Sequence, residues 1–319
     1  MDGGARDVSP RDHRGLSLSE TDDAALLGRI AVVIVAYNTA DLLRRCLYGL
    51  RSDGGGRVQV IVVDNGSNDE TVAVATAAMP PVELVEAGTN LGFGRAVNLA
   101  ARQVERDYLV TLNPDCLPTP AVLLQLARRL DRESRLGYAG PRIVKPSGRP
   151  DAACLRGDPD PFGALLYFTR VARLFPRSPG ISRYNLTYLD YEKEQPLLCG
   201  TGACLMFRTS AFRAVGGFDE AFFMYGEDLD ICRRLRAAGH PGIYVPGAEV
   251  LHVKGEASRK ESQRMLREFH RAMWIYYRRH EAAARPALVN SAVRAGIAVL
   301  EALRLARNAL RREKRVSER

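Results

Sequence analysis

The most informative group of candidate catalytic carboxylates lies in residues 216–239. There, Glu227, Asp228 and Asp230 follow an aromatic-rich turn and precede a basic segment with helical spacing. Carboxylates at the start of a helix face the positive end of its dipole, which favours their ionised forms. An ionised carboxylate could take a proton from a sugar hydroxyl, beside an aromatic wall supplied by Phe218–Tyr225. An ordinary acidic helix N-terminus has the same pattern, so the upstream motifs must decide.

The segments that would position this stretch alternate between apolar runs and helical spacing. Such a βαβ series predicts an α/β fold with an open, mostly parallel sheet and helices on both faces. Continuous β-branched runs favour strands buried on both faces, and the predicted strands cover 30–38, 58–67, 82–86 and 108–112. The predicted helices cover 41–50, 70–79 and 96–102.

Polar motifs follow three of these strands, and open α/β sheets bind ligands beyond the carboxyl ends of their strands. The motifs are Ala36-Tyr37-Asn38, a run that begins Asp64-Asn65-Gly66, and Asn113-Pro114-Asp115. Asp64 could accept a hydrogen bond from the NH of a pyrimidine ring. The Asn-Gly pair that follows it is also simply a good turn.

A glycine-containing loop precedes the third predicted helix. Asn90, Gly92 and Arg95 belong to it, and its two glycines would let the backbone approach a ligand. Arg95, at a helix start, could meet a diphosphate with a cation and backbone NH groups. The loop does not match the GxGxxG dinucleotide fingerprint and follows the wrong strand for one.

A metal site is expected at Asp115. One carboxylate can hold Mg²⁺ or Mn²⁺ while the phosphates of a substrate supply most other ligands. His252, after a predicted strand at 243–245, could add a nitrogen ligand, which would favour manganese. A lone histidine is more often structural, and that alternative stays open.

Cysteine usage indicates a reducing compartment. The sequence contains no CxxC pair and no signal peptide pattern, so reduced thiols in a cytoplasmic protein are expected. A Cys199–Cys204 disulfide is the alternative that spacing allows. The six cysteines are Cys46, Cys116, Cys154, Cys199, Cys204 and Cys232.

Composition divides the chain into three parts. Residues 1–28 lack periodicity and predict a disordered tail, residues 29–257 form the α/β domain, and residues 258–319 form a basic helical extension. The extension has sixteen Lys and Arg against six Glu, a balance of +10 that accounts for the whole net charge of +9. Its helix from 286 suits an anionic membrane surface or packing on its own domain. Nucleic acid is disfavoured because no aromatic residue follows Tyr277 to stack on bases.

Taken in order, the motifs resemble family 2 glycosyltransferases of the GT-A fold, and most closely the rhamnosyltransferase-like branch. The resemblance covers about Arg29–Arg279. The motifs are AYN, DNGSND, NLGFGRAVN, LNPD, GTGACLMFR and GGFDEAFFMYGEDLD, followed by a late histidine.

The resemblance implies a role for each matched residue. Asp64 would bind the nucleotide base, Asp115 the metal on the diphosphate, and His252 would complete the metal site. Asp228 would act as the general base, with Glu227 orienting or binding the acceptor. Asn113 stands where the family commonly carries a first acidic metal ligand, so Asp115 must do more alone. The implied nucleotide-sugar site comprises Ala36, Tyr37, Asn38, Asp64, Asn90, Gly92, Arg95, Asn113 and Asp115.

The implied reaction is an inverting transfer of a sugar from a nucleotide sugar to a glycan hydroxyl. L-rhamnose from dTDP-rhamnose is the best match, with a polyprenyl-diphosphate-linked acceptor in cell-surface polysaccharide synthesis. The cofactor would be Mn²⁺ or Mg²⁺, and the enzyme would be cytoplasmic or peripheral on the inner face of the plasma membrane. UDP- or GDP-linked galactofuranose, glucose or mannose are alternative donors, and a catalytically idle nucleotide-sugar-binding subunit is an alternative of another class.

Overall fold

The apolar runs of the sequence form the strands of one sheet in the computed structural model, which describes residues 18–52, 55–253 and 263–317. Its strands are β1 Ile30–Ala36, β2 Gln59–Asp64, β3 Glu83–Glu86, β4 Tyr108–Leu112, β5 Cys116–Leu117, β6 Tyr138–Val144, β7 Gln195–Leu197, β8 Cys204–Arg208 and β9 Gly242–His252. Their order is β3-β2-β1-β4-β8-β6-β9-β5, with β7 beside β9.

The helices have the amphipathic spacing that places apolar side chains on this sheet. They are α1 Leu18–Leu27, α2 Ala40–Arg51, α3 Thr71–Thr76, α4 Phe93–Ala101, α5 Pro120–Asp131, α6 Pro161–Phe168, α7 Val171–Leu174, α8 Thr209–Ala214, α9 Glu227–Ala237, α10 Gln263–His280 and α11 Ala287–Ser317. The predicted α/β fold is confirmed, and the four predicted strands and three predicted helices form within a few residues of their expected ends.

The sheet has a parallel half and a mixed half. Strands β3, β2, β1 and β4 are parallel, as the βαβ series predicts. Beyond β4, strand β8 runs antiparallel to both β4 and β6, while β6 and β9 are again parallel. The antiparallel pairs involve strands downstream of residue 113, where the simple βαβ alternation of the sequence ends.

The N-terminal boundary differs from the expected one. Residues 18–27, predicted to belong to a disordered tail, form α1, and Leu26 and Leu27 at its end are buried. Asp23 on this helix pairs with Arg128 of α5. The polar first half of the helix hid these two anchoring leucines from periodicity. Residues 1–17, and the expected boundary at 257, lie outside the described residues.

All six cysteines are buried and none forms a disulfide, as expected of reduced thiols. The alternative disulfide between Cys199 and Cys204 is not formed. Burial raises the pKa of the thiols of Cys204 and Cys232 to about 12, so both remain protonated at neutral pH.

The aromatic turn before α9 belongs largely to the core. Phe218 and Phe222 are buried, and the Phe218 ring makes edge contacts with Phe207 and Phe212. The expected aromatic wall over Phe218–Tyr225 is therefore wrong for these two residues. Tyr225 at the end of the turn is exposed.

The C-terminal helix both packs on the domain and exposes apolar side chains. Tyr277 of α10 donates a hydrogen bond to Asn290 of α11 at 2.5 Å, and the Arg294 guanidinium covers the Trp274 ring. Leu303 and Leu310 of α11 are nonetheless exposed. In the described parts of the chain, no helix combines the length and the apolar content needed to cross a bilayer.

One buried carboxylate joins α9 to this extension. Asp230 is fully buried, and its oxygens lie 2.7 Å from His280 Nε2 of α10 and 2.7 Å from Arg234 Nε. Burial by itself would raise the pKa of the Asp230 carboxyl, but the hydrogen bond from His280 and the charge of Arg234 outweigh it and lower that pKa. The extension is thus tied to the helix that carries the acidic cluster.

We expect Asp230→Asn to lower the free energy of unfolding by about 3 kcal/mol, because it leaves the partly buried Arg234 guanidinium and the His280 imidazole without their carboxylate partner. The exposed pair between Asp41 and Arg44 provides the control, and Asp41→Asn should cost less than about 0.5 kcal/mol. Because the folded pKa of Asp230 is lowered, its contribution is complete above about pH 4 and is lost as pH falls through that lowered pKa. Urea denaturation at pH 7 and at lower pH measures both effects, and equal costs for the two variants would contradict the assignment.

Candidate active site

The carboxyl ends of β1 and β2 lie side by side, as expected for a ligand site. Ala36 is the register partner of Asp64. The Asp64 carboxylate is buried and accepts hydrogen bonds from the backbone NH groups of Gly66 and Ser67, at 3.1 Å each for Oδ2. Asp64 therefore shapes the turn that follows it. Any contact with a nucleotide base would use the same carboxylate.

Asn38 fastens the first strand end to this turn. Its left-handed backbone turns the chain away from β1, and its Oδ1 accepts a hydrogen bond from Asn68 NH at 2.7 Å. The preceding Tyr37 has 46% of its surface exposed at the edge of the sheet. Its ring is thus available to a ligand, as the sequence predicts.

Asn65 was missed as a site residue because Asn-Gly is a common turn pair. It is buried, and its amide donates to Asn90 Oδ1 and to the Gly92 carbonyl at 3.1 and 3.0 Å. Its Oδ1 accepts from Leu91 NH at 2.9 Å. This single side chain joins the turn after β2 to the glycine loop before α4.

The glycine loop in turn lies against the aromatic turn before α9. Gly92 has a φ of +84°, and a Cβ there would lie 2.1 Å from the Phe223 carbonyl oxygen. The next residue, Phe93, donates its NH to the same oxygen at 2.9 Å. Glycine is required at position 92 by this close backbone approach.

Arg95, which the sequence predicts to meet a diphosphate, lies beside the aromatic turn that precedes α9. Its Nε donates to the Glu220 carbonyl oxygen at 3.0 Å and lies 3.8 Å from the Glu220 carboxylate. The side chain is half exposed. The contacts of Arg95 are therefore with the aromatic turn.

Asp115 and His252 come together across the outer strands of the sheet. His252 is the last residue of β9, which is longer than the predicted strand, and its register partner on β5 is Cys116. His252 Nε2 lies 3.2 Å from Asp115 Oδ1, and potential ligand atoms of Asp115, Cys116 and His252 all lie within 4.8 Å of one another. Cys116 was missed because a single buried cysteine carries no metal signature.

The chemistry of these donors fits a divalent cation such as Mn²⁺, because an imidazole nitrogen and a carboxylate oxygen lie close enough together to bind the same ion. The opposite ring nitrogen of His252, Nδ1, lies 3.6 Å from Asp151 Oδ2. Metal-binding histidines commonly face such a carboxylate, which fixes the tautomer and raises ligand basicity. The order Asp115–His252–Asp151 therefore has the form of a metal ligand with its outer partner.

The loop between β7 and β8 connects this cluster to the acidic start of α9. Asn113 NH donates to the Ala203 carbonyl at 2.9 Å, and Gly202 NH lies 3.4 Å from Asp228 Oδ2. The backbone of Asn113 thus locates the loop, whatever its side chain binds. The structure brings Asp115 and Asp228 to the two sides of one short loop.

Asp228 forms a buried ion pair that the sequence did not indicate. Arg156 Nη2 lies 2.6 Å from Asp228 Oδ2 and also donates to the Gly200 carbonyl. Asp228 Oδ1 accepts from Leu229 NH at 2.8 Å. Only 12% of the Asp228 side chain is exposed, so the guanidinium and the helix start fix its orientation.

Glu227 has a different environment on the same helix turn. Burial raises the pKa of its carboxyl well above the usual range, and the neighbouring charge of Asp228 adds to the shift. Its Oε2 has no hydrogen-bond partner among the described residues. The raised pKa leaves the Glu227 carboxyl able to donate a hydrogen bond to a ligand, whereas the Asp228 carboxyl is paired with Arg156.

Known proteins agree with this architecture. The family model of glycosyl transferase family 2 matches residues 31–216, and that of glycosyl transferase family group 2 matches residues 184–306. The N-acetylglucosaminyl-diphospho-decaprenol L-rhamnosyltransferase of Mycobacterium tuberculosis is 33% identical over 90% of this chain and 95% of its own length. The rhamnosyltransferase WbbL of Escherichia coli is 25% identical over 70% of this chain and 83% of its own length.

Solved structures share the fold at low identity. The mannosyltransferase PcManGT from Pyrobaculum calidifontis, in complex with GDP-Man and Mn²⁺, has a TM-score of 0.54 at 16% identity and covers 88% of this chain and 79% of its own. Residues 1–349 of Staphylococcus aureus TarS give the same score and identity and cover 84% of this chain and 70% of that one. The chain has the GT-A fold and belongs to glycosyl transferase family 2, as a member of its rhamnosyltransferase-like branch.

Proposed function

We propose that the protein is an inverting glycosyltransferase that moves L-rhamnose from dTDP-rhamnose to a hydroxyl of a polyprenyl-diphosphate-linked glycan in cell-surface polysaccharide synthesis. The observation that carries the chemistry is the oriented, ionisable Asp228 beside the loop of the Asp115 cluster. The donor and acceptor are proposed from the mycobacterial relative, whose named activity is rhamnosyl transfer to a decaprenyl-diphosphate-linked sugar and which matches this chain nearly end to end.

In the proposed reaction, Asp228 accepts the proton of the acceptor hydroxyl, and that oxygen attacks the anomeric carbon of the donor. The bond to the nucleoside diphosphate breaks as the new glycosidic bond forms, so the anomeric centre inverts. Arg156 holds the Asp228 carboxylate in place, and protonated Glu227 donates a hydrogen bond to the acceptor. A single displacement requires one base, which agrees with the division of roles between these two acids.

Asp115 and His252 would hold a divalent cation, with Asp151 orienting the imidazole. The bound Mn²⁺ or Mg²⁺ would neutralise charge on the leaving diphosphate. Asp64 and Tyr37, at the ends of β2 and β1, would face the nucleotide. The same strand-end residues, with Asn38, Asn90 and Gly92, would shape the donor pocket around it.

We place the reaction on the cytoplasmic side of the membrane, in keeping with six cysteines that form no disulfide. A lipid-linked acceptor brings the enzyme to the bilayer surface. The exposed leucines and the arginines of α11 would bind anionic lipid there.

We expect Asp228→Asn to lower turnover by about 10²–10⁴-fold, because an amide cannot accept the proton. Glu227→Gln is the matched control, since it mimics the protonated state that burial favours, and it should change turnover by less than about tenfold. Steady-state kinetics with dTDP-rhamnose and a short lipid-diphosphate acceptor measures both. Donor affinity should be preserved in Asp228→Asn. The roles would be reversed if Glu227→Gln proved the inactive variant.

Metal binding gives a separate test of the second cluster. Asp115→Asn and His252→Ala should abolish tight Mn²⁺ binding, while Asp151→Asn should weaken it about 10–100-fold by releasing the imidazole. Electron paramagnetic resonance of free Mn²⁺ reports the affinity without any turnover. Asp41→Asn, far along the chain and on the surface, serves as the control. Undiminished affinity in His252→Ala would remove the histidine from the site.

The role of α11 is tested with vesicles. Leu303→Ser combined with Leu310→Ser should reduce co-sedimentation with phosphatidylglycerol-containing vesicles several-fold, at about 0.8 kcal/mol for each buried methylene that is lost. Tyr48 and Met79, which are exposed elsewhere, provide a control pair when changed to serine. If binding is unchanged, α11 serves only to pack on the domain.

A further inference from the structure

Residues 161–177, which we term the α6–α7 hairpin, expose apolar side chains in a way that the fold does not use. Helix α6 has the sequence PFGALLYF, yet Gly163 is its one buried residue. Phe162, Leu165, Leu174 and Phe175 are each more than half exposed. An apolar helix that buries a glycine and exposes its larger side chains lacks its partner surface.

The hairpin is held in this outward position by specific contacts. Asp160 caps α6 by accepting the NH groups of Phe162 and Gly163 at 3.0 and 3.1 Å, and it pairs with Arg183 Nε at 2.9 Å. On the other side, Ser182 Oγ donates to the Phe175 carbonyl at 2.9 Å. The exposure is therefore built into the fold.

The charged side chains of the hairpin and of the segment that follows it are all basic. Residues 161–189 contain four arginines and no acidic residue. Three of these arginines, Arg170, Arg173 and Arg177, are exposed, and within the described parts of the chain they form no ion pair. Some other surface arginines, such as Arg44 and Arg128, are paired with acids, whereas Arg102 and Arg106 are exposed like those of the hairpin and likewise form no ion pair among the described residues. Unpaired cations beside exposed apolar side chains favour an anionic, apolar partner.

On one side, the hairpin contacts the segment that lies beside the Asp228 carboxylate. Gly157 follows Arg156, the partner of Asp228, and donates its NH to the Tyr184 carbonyl at 2.8 Å. The Tyr184 ring contacts Tyr167 of α6, with ring centroids 5.3 Å apart.

On its far side, the hairpin meets α11 and the aromatic turn. Arg304 of α11 covers the rings of Phe168 and Phe269 at 5.1 and 5.2 Å, and Phe269 contacts Tyr225 at 5.6 Å. One surface thus runs from the exposed leucines of α11 across the hairpin to the turn that precedes the catalytic helix.

We propose that the α6–α7 hairpin is a membrane-docking element. Its phenylalanines and leucines would enter the boundary between headgroups and acyl chains, and its arginines would contact the phosphates of anionic lipids. The inference rests on the proposed function in one respect, because a lipid-linked acceptor must reach Asp228 from the bilayer surface. The hairpin lies close to Asp228, because Tyr167 of α6 contacts Tyr184, whose carbonyl oxygen binds the segment next to Arg156.

Insertion is tested by tryptophan fluorescence. The tryptophan introduced by Phe175→Trp should be quenched by brominated phosphatidylcholine in vesicles that contain phosphatidylglycerol, whereas the tryptophan introduced by Tyr48→Trp should not be. Tyr48 is the matched control because it is exposed on α2, and the wild type corrects for the native Trp274. Absence of quenching in the Phe175→Trp variant under conditions where the protein co-sediments with vesicles would overturn the proposal.

Charge is tested separately. Arg173→Glu combined with Arg177→Glu should weaken partitioning onto phosphatidylglycerol vesicles by about tenfold or more, and neutral phosphatidylcholine vesicles should bind neither form tightly. The control pair, Arg102→Glu with Arg106→Glu, makes the same charge change at exposed positions after α4 and should bind like the wild type. Equal weakening by both pairs would indicate net charge alone and contradict a specific docking surface.

Activity on a short, water-soluble acceptor separates this inference from the proposed function. If the hairpin only docks, the double arginine variant keeps wild-type turnover on that acceptor and loses activity on the vesicle-borne one. A wild type that lacks rhamnosyl transfer with either acceptor would contradict the proposed function, while the fluorescence result would still decide the docking surface.

Discussion

The ion pair between Arg156 and Asp228 is the interaction on which the rest of the site depends. Both groups are nearly removed from water, so either one alone would be a buried unpaired charge, which costs several kcal/mol in proteins. The same guanidinium binds the Gly200 carbonyl, and the loop that follows contacts Asn113. The pair therefore fixes the start of α9, the connection into β8 and, through Asn113, the position of the Asp115–His252 cluster.

Helix α9 uses its two aspartates in opposite directions. Asp228 faces Arg156 and the reaction site, while Asp230 is directed to His280 and the C-terminal extension. Both lie in the first turn of one short helix, so the site and the extension share a rigid support. The extension is accordingly part of the architecture of the candidate active site, and its exposed leucines are held at a set position relative to the Asp228 carboxylate.

The sequence indicated the parallel half of the sheet, the acidic cluster and the pairing of Asp115 with His252, because strand periodicity and strand-end motifs are local signals. Arg156 escaped notice because its role depends on a contact 72 residues along the chain. The sequence does not reveal the role of Asn65, because Asn-Gly is also a common turn pair. It does not show that Phe218 is buried, because composition does not distinguish a core aromatic ring from an exposed one. The α6–α7 hairpin was missed because an apolar run normally indicates core.

At two places the loops around the site meet through main-chain atoms alone. At Gly92 the adjoining Phe223 carbonyl takes the space of a Cβ, and at Gly157 the Arg183 carbonyl does the same, each 2.1 Å from where that atom would lie. A joint of this kind restricts only the glycine itself. Loop residues whose side chains make no contact across a joint can therefore vary while the two glycines keep the backbones in contact.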